Sequence, residues 1–321
     1  MKGVKKISIV VPLYNEEDNV NELYQRIKKV VDSLPLDYEI IFVDDGSTDK
    51  TAEKLEAIAA KDKKVKVIEF ARNFGQTPAM MAGMDLAGGD VIITMDGDLQ
   101  NDPDDIPRLL EKIEEGYDVV SGWRKNRKDA AISRKLPSRI ANWLIGRLTG
   151  IKIHDYGCSL KAYRSSVIKR VRLYGEMHRF IPAVVSTVTS PDKIIEIPVK
   201  HHPRKYGKSK YGISRTFKVI VDLFYVWFVK KYMQKPIHFF GGIGLTLLFI
   251  GLVFFSYLMG IKIMGHPIGG RPLLIISVMF IISGLQMLTT GIISEILMRI
   301  YFESQSKKPY VIRRIINSEK E

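Results

Sequence analysis

The sequence predicts an α/β domain built on a mostly parallel sheet, followed by two membrane-spanning helices. Three observations carry that expectation. Short β-branched runs alternate with helical periods through the first half of the chain, acidic residues collect where those runs end, and two long stretches near the C-terminus contain no charged residue.

The runs "KISIVVPL", "YEIIFVDD", "VKVIEFA", "DVIITMDGD" and "YDVVSGW" read as strands. Between the first two, Asn15 is placed to cap a helix whose first turn holds Glu16, Glu17 and Asp18, and Val20, Leu23, Ile27, Val30 and Leu34 keep a helical period. Strands buried on both faces and joined by helices give a mostly parallel sheet, which binds ligands at the carboxyl ends of its strands. Asp44 and Asp45 fall at the end of the second strand, and Asp96 and Asp98 at the end of the fourth. In "VIITMDGDLQNDPDDIP" the carboxylates repel one another unless a cation or hydrogen-bond donors compensate.

After Gly122 the pattern weakens into a basic, helical stretch, "WRKNRKDAAISRKLPSRIANWLIGRLTGIKI", and then "HDYGCSLKAYR". "KIIEIPV" reads as a last strand. Phe217, Ile220, Val221, Phe224, Tyr225, Trp227 and Phe228 then form an apolar band beside cationic ends, as in a helix lying at a membrane surface. The runs Pro236 to Ile261 and Pro272 to Ser294 hold no Asp, Glu, Lys or Arg, and each exceeds the roughly 20 residues that cross a bilayer. The expected organisation is a catalytic domain over 1–213, a juxtamembrane helix over 214–235, two transmembrane helices over 236–302 and a basic tail over 303–321. Lys230, Lys231, Lys235, Lys307, Lys308, Arg313 and Arg314 lie on one side of the spans, against Lys262 and Arg271 in the loop between them. The positive-inside rule places the large domain and the tail in the cytoplasm. The basic start of the chain runs into acids too soon for a signal peptide.

The 321 residues carry 49 Lys+Arg against 35 Asp+Glu, a net +14. That balance suits a polyanionic partner, and the membrane spans direct it to lipid headgroups rather than nucleic acid. Cys158 is the single cysteine, so no internal disulfide forms, and its expected state is a buried thiol.

Asp96-Gly97-Asp98 sets two carboxylates about a residue without a side chain, so a metal and a phosphate can approach the backbone. Mg2+ or Mn2+ accepts such hard ligands and shares them with substrate phosphates. In "VDDGSTDKT", Ser47, Thr48 and Asp49 compete as helix caps, while Asp44 or Asp45 is free for a ribose or a base. "FARNFGQTPAMMAGMDLAGGD" lacks G-x-G-x-x-G, and "YGKSKYG" has His202 where a phosphate loop needs its first glycine.

Taken in order, "VVPLYNEEDNV", "IIFVDDGSTDKT", "ARNFGQ", "MDGDLQNDP" and "DYGCSLKAYR", followed by two spans, resemble the family 2 glycosyltransferases of the GT-A fold. Within them the resemblance is to the polyprenyl-phosphate glycosyltransferases, including dolichyl-phosphate mannose synthase and bacterial undecaprenyl-phosphate glucosyltransferases. It implies a Rossmann-like catalytic domain that transfers a hexose from a nucleotide-sugar to a polyprenyl phosphate with inversion. It implies that Pro12, Tyr14, Glu16 and Asp44 or Asp45 hold the nucleoside, and that Asp96, Asp98 and Gln100 hold the metal and diphosphate. Arg124, Arg134, Ser138 and Arg204 match the grip on the acceptor phosphate, with Arg124 and Asp98 close to the chemistry. Asp155 occupies the place of a catalytic acid, yet a prenyl phosphate is already an anion, so orientation and proton removal are both open to it. His154 is expected to be structural.

The expected donor is UDP-glucose, with GDP-mannose next, and the expected cofactor is Mg2+ or Mn2+. Gly241, Gly242 and Gly244 suit helix packing either within one protomer or in a homo-oligomer. A processive synthase is disfavoured by the lack of Q-x-x-R-W, and a non-enzymatic lipid- or nucleic-acid-binding protein by the acids at the strand ends. A lipid hydroxyl is the rival acceptor, and it would require Asp155 to act as a base.

Overall fold

Sheet order and register follow from which apolar runs must be buried on both faces. The computed structural model describes residues 3–125, 146, 150–151, 153–173, 177–203, 227–228, 232, 236–303 and 310–317. The chain divides into two units, Met1–Trp227 with Lys308–Glu321, and Phe228–Lys307.

In the first unit, β1 (Lys6–Leu13), β2 (Asp37–Asp44), β3 (Val65–Phe70), β4 (Val91–Thr94), β5 (Val119–Trp123), β6 (Lys161–Arg164), β7 (Ile194–Pro198) and β8 (Ile312–Ile316) form one sheet of order β7-β5-β6-β4-β1-β2-β3-β8. The β1–β2, β1–β4, β2–β3 and β5–β7 pairs are parallel, whereas β6 and β8 run antiparallel to their neighbours. Alternation along the strands divides the core. Ile7, Ile9, Val11, Ile40 and Phe42 pack on one face, and Val10, Ile41, Val43, Ile68 and Ile92 on the other. The first layer receives Leu23 and Ile27 of α1 (Val20–Asp32) and Leu109 and Ile113 of α4 (Ile106–Glu114). It also takes Leu55 and Ile58 of α2 (Thr51–Lys61), while Ala79 to Met84 of α3 (Gln76–Leu86) cover the other face.

Three local expectations change. Asn15 does not cap α1, whose N-cap is Asn19. Asn15 instead adopts a left-handed φ of 52°, and its Oδ1 accepts the Thr48 amide at 2.8 Å. Asn tolerates that region better than most side chains, so the residue serves the loop rather than the helix. Second, "KAYR" forms the antiparallel strand β6 between β4 and β5; four residues inside a motif-like segment are too short to show a period. Third, the C-terminal segment read as a basic tail contains β8, which covers the outer edge of β3. An uncovered β3 would leave a row of unpaired amides and carbonyls.

The second unit is a pair of helices, Pro236–Ile263 and Pro272–Glu303, long and apolar enough to cross a membrane, with mean hydropathy 2.2 and 2.1 over their apolar windows. The second continues past the uncharged run, because Glu295 ends the apolar stretch without breaking the helix. The pair packs through glycine. A Cβ on Gly244 would lie 2.8 Å from the Gly284 carbonyl oxygen, and one on Gly251 would lie 2.9 Å from the Ser277 carbonyl oxygen. Gly244 thus packs the helices of one protomer, while Gly242 has open space around it. Leu245, Phe249, Tyr257, Ile275 and Met279 stay at least 60% exposed, an apolar surface that lipid rather than water satisfies. Of the segment expected to form a juxtamembrane helix, 214–235, only Trp227, Phe228 and Tyr232 lie within the described residues.

Candidate active site

The loops that follow β1 and β2 are knitted together by reciprocal hydrogen bonds. The Asn15 amide donates to Ser47 Oγ at 2.9 Å, the Glu16 amide to Thr51 Oγ1 at 2.9 Å and the Glu17 amide to Asp49 Oδ2 at 3.2 Å. In return the Lys50 amide donates to Glu17 Oε2 at 3.1 Å. Ser47 and Thr48 therefore join two loops rather than cap α2, whereas Asp49 accepts the Thr51 amide at 2.9 Å. The Glu16 carboxylate accepts Asn19 Nδ2 at 2.6 Å.

Asp44 and Asp45 are both buried, and their partners separate them. Asp45 gives its two oxygens to the amides of Phe74 and Gly75 at 2.7 and 2.9 Å, which ties the "ARNFG" loop to the sheet. Asp44 accepts the Ser47 hydroxyl and amide and lines a cavity of about 370 Å3 with Tyr14, Glu69, Arg72 and Arg313. Burial raises the pKa of both carboxyls, and the hydrogen bonds they accept only partly oppose it. Gly46, at φ 68°, lets the β3–α3 loop close in, since a Cβ there would lie 2.4 Å from the Arg72 carbonyl carbon.

At the end of β4 the acidic crowd resolves into two groups. Asp102 accepts His202 Nε2 at 2.9 Å and the Asp104 amide at 3.1 Å, and Asp105 accepts Arg108 Nη1 at 2.8 Å and the Lys200 amide at 2.6 Å. Those two carboxylates fasten the segment after β7. Asp96 and Asp98 remain beside the strand ends. Asp96 Oδ1 accepts Gln76 Nε2 at 2.7 Å, and Asp98 Oδ1 accepts the Gln100 amide at 3.2 Å. At Gly97 a Cβ would sit 2.2 Å from Leu13 Cδ2, so any larger residue would displace that side chain, and Leu99 is held at a left-handed φ of 61°. Gln100 Nε2 donates to the His202 carbonyl at 3.4 Å.

Among the described residues no group of three or more His, Cys, Asp or Glu side chains converges. If a metal binds beside this strand end, the protein would offer it the two carboxylates of Asp96 and Asp98 about Gly97. That donor set fits Mg2+ or Mn2+, which take their remaining ligands from phosphate and water.

Arg124, just past β5, and Asp155 form a nearly closed pair. Arg124 Nε and Nη2 donate to the two Asp155 oxygens at 2.7 and 2.9 Å, and the Arg124 amide adds a third bond at 3.3 Å. The side chains are 14% and 15% exposed. Burial alone would raise the Asp155 pKa, but the Arg124 bonds and charge outweigh it and hold the carboxyl below the usual carboxylate range. The same bonds outweigh burial in Arg124 and hold its pKa high, with Asp96 adding a smaller attraction. Gly157 leaves room for the guanidinium, since a Cβ there would lie 3.3 Å from Arg124 Nη2. His154 stacks on Trp123 at 4.5 Å and joins Glu196 through its ring and its amide.

Sequence reasoning passed over two features. Lys161 is fully buried, and its ammonium donates to the carbonyls of Tyr156 and Cys158, bracing the turn that carries Asp155. Burial lowers its pKa. A lysine inside the apolar run "LKAY" was the available signal. The second is the cavity wall in which Arg313 joins Glu69 and Arg72, residues more than two hundred positions earlier in the sequence. Cys158 is the expected buried thiol, its pKa pushed up to about 11 by burial. Pro12 pairs with Val43 at the end of β1. Arg134, Ser138 and Arg204 lie outside the described residues.

The pattern described as Glycosyl transferase family 2 matches residues 8–172. The dodecaprenyl-phosphate galacturonate synthase of Rhizobium johnstonii is 49% identical over 98% of this chain and 94% of its own. The undecaprenyl-phosphate 4-deoxy-4-formamido-L-arabinose transferase of Edwardsiella ictaluri is 37% identical over 99% of this chain and 96% of its own. Among solved structures, glucosyl-3-phosphoglycerate synthase from Mycobacterium tuberculosis, in complex with Mn2+, UDP-glucose and phosphoglyceric acid, superposes with a TM-score of 0.56 at 20% identity. That superposition covers 70% of this chain and 80% of the other and establishes the shared GT-A architecture. With the ordered motifs on one sheet and relatives aligned along nearly its whole length, the chain belongs to glycosyl transferase family 2.

Proposed function

We propose that the protein transfers a sugar from a nucleoside diphosphate to a polyprenyl phosphate at the cytoplasmic face of a membrane, with inversion at the anomeric carbon. The observation that carries the choice of acceptor is the Arg124–Asp155 pair. A carboxylate whose two oxygens face one guanidinium, and whose pKa is lowered by it, is a poor base for an alcohol. A phosphate acceptor needs no base. The named relatives act on dodecaprenyl and undecaprenyl phosphate, which supports the same choice.

In this reading Asp44 and Tyr14 bind the nucleoside in the cavity at the ends of β1 and β2, where a parallel sheet offers its ligand site. Pro12 and Glu16 shape the loop behind them, and Asp45 positions the β3–α3 loop. Asp96 and Asp98, with Gln100 beside them, face the diphosphate and hold a divalent cation, which supplies neutralisation of the leaving group's charge. Arg124, oriented by Asp155, draws the acceptor phosphate to the anomeric carbon, and Arg134, Ser138 and Arg204 complete that grip. The two apolar helices keep the reaction where a polyprenyl chain confines its headgroup.

For the sugar, the relative at 49% identity weighs toward galacturonate rather than the glucose that the motifs alone led us to expect. The test uses detergent-purified protein, Mn2+, undecaprenyl phosphate and labelled UDP-galacturonate, UDP-glucose or GDP-mannose in parallel. Label entering the organic phase from one donor supports the reaction and names the sugar. Nucleotide release without lipid labelling would overturn the acceptor assignment.

A further inference from the structure

The C-terminal strand reaches the nucleotide cavity through an irregularity in its pairing. Along β3 and β8, Glu69 pairs with Arg314 and Phe70 with Ile312, so Arg313 is the extra residue of a β-bulge. Bulges re-aim side chains and recur beside active sites. Here the bulge turns Arg313 onto the cavity that Asp44 and Arg72 also line.

Three anchors fix the strand in place. Tyr310 stacks on Phe70 at 5.2 Å and donates to Asp85 Oδ2 at 2.9 Å. Asn317 Nδ2 donates to the carbonyls of Ala59 and Val65 at 2.6 and 2.9 Å. Glu69 accepts from Arg314 Nε on one oxygen and from Arg313 Nη1 at 3.1 Å on the other. Arg314 also donates to Glu56 at 2.8 Å, on the side away from the cavity lining. Glu69 therefore orients Arg313 through one nitrogen, while the side chain stays 70% exposed along the cavity.

We propose that β8 is a wall of the nucleotide pocket and that Arg313 donates a hydrogen bond to a carbonyl oxygen of the donor's nucleobase. This rests on the nucleotide-sugar reading of the cavity. Asp44 offers an acceptor and Arg313 a donor, which matches the adjacent N–H and C=O of a keto base such as uracil or guanine. Cytosine presents an amino group where that carbonyl would be, and the arginine cannot accept from it. A residue beyond both membrane helices thus takes part in choosing the donor.

The test measures Kd for UDP, GDP and CDP, each with Mn2+, by calorimetry on the full chain in detergent. Wild type is expected to favour UDP or GDP over CDP, and Arg313→Ala to weaken the favoured nucleotide about tenfold, or about 1.4 kcal/mol, with CDP unchanged. Arg313→Lys recovers part of the loss. Arg314→Ala loosens the tie to Glu69 and Glu56 but should leave the keto preference intact. Favoured-nucleotide binding within twofold of wild type in Arg313→Ala would overturn the proposal. So would an equal loss for UDP and CDP, which marks a merely structural role. Wild type binding neither UDP nor GDP would remove the nucleotide reading and this inference together. The assay contains no lipid, so a failure of the acceptor assignment is read separately.

Discussion

Replacing Asp155 by Asn tests whether this carboxylate positions Arg124 or removes a proton. The substitution keeps the shape, deletes the charge and turns one of the oxygens facing Arg124 into a donor. Breaking a buried pair by removing one partner costs about 3–5 kcal/mol. With side chains 14% and 15% exposed and one acceptor retained, the lower end applies, about 3 kcal/mol. For a unit of this size that lowers Tm by roughly 6–12 °C. The pH dependence has a definite sign. The folded pKa of Asp155 lies below its unfolded value of about 3.9, so its contribution is complete above that value and is lost as pH falls through the lower folded pKa. No limb of the rate profile between about pH 5 and 9 should belong to it. Thermal scans and initial rates of lipid labelling across that range provide the check. A rate abolished at unchanged Tm, with recovery on adding a small exogenous base, would refute the positioning role.

Asp98→Asn should remove the dependence of turnover on Mn2+ and lower kcat at least about a hundredfold, as expected when transition-state charge loses its stabiliser; near-normal turnover at saturating metal would sink the assignment. Gly97→Ala drives a Cβ into Leu13 Cδ2 and should lower kcat, with Leu13→Ala in the same chain restoring part of it, measured as initial rates. Lys161→Met leaves the Tyr156 and Cys158 carbonyls without their donor, a loss of about 1–3 kcal/mol that a Tm scan reads, and it should reduce kcat more than the KM for nucleotide-sugar. Gly284→Leu places a side chain where 2.8 Å separates a Cβ from the Gly244 carbonyl oxygen, and should lower the melting temperature of the full chain in detergent.

The parallel half of the sheet was legible because its strands are largely buried on both faces and therefore read as short, mainly apolar, β-branched runs. β1 spans the same eight residues in sequence and structure, Lys6–Leu13. Strands stabilised mainly by their neighbours were not legible. β6 has four residues and a lysine in it, and β8, "IRRII", carries two adjacent arginines that suggested only a charged tail. Its arginines pair with Glu69 and Glu56, partners more than two hundred residues away, and no local pattern encodes such a match. The site divides in the same way. Asp96-Gly97-Asp98 announces itself within three residues, whereas the division of labour between Asp44 and Asp45 depends on which amides of the β3–α3 loop arrive beside them.

The acids after β4 show why composition alone overstates a cation site. Five aspartates stand within ten residues, from Asp96 to Asp105. Asp102 accepts from His202 and pairs with Arg26, Asp105 pairs with Arg108 and accepts the Lys200 amide, and their work is to hold the segment after β7 against the sheet. That fastening leaves Asp96 and Asp98 as the pair at the strand end, flanking Gly97, where the Leu13 side chain already fills the space a Cβ would take. Arg124 and Lys161 both interact with Asp96 across the strand ends, so cationic charge from β5 and β6 already opposes the acids there. In the function we propose, two kinds of positive charge would meet there: the Arg124 guanidinium on the acceptor side, and a divalent ion that Asp96 and Asp98 would hold on the donor side. A reaction between two phosphate-bearing substrates needs both, because each phosphate must be held against the repulsion of the other.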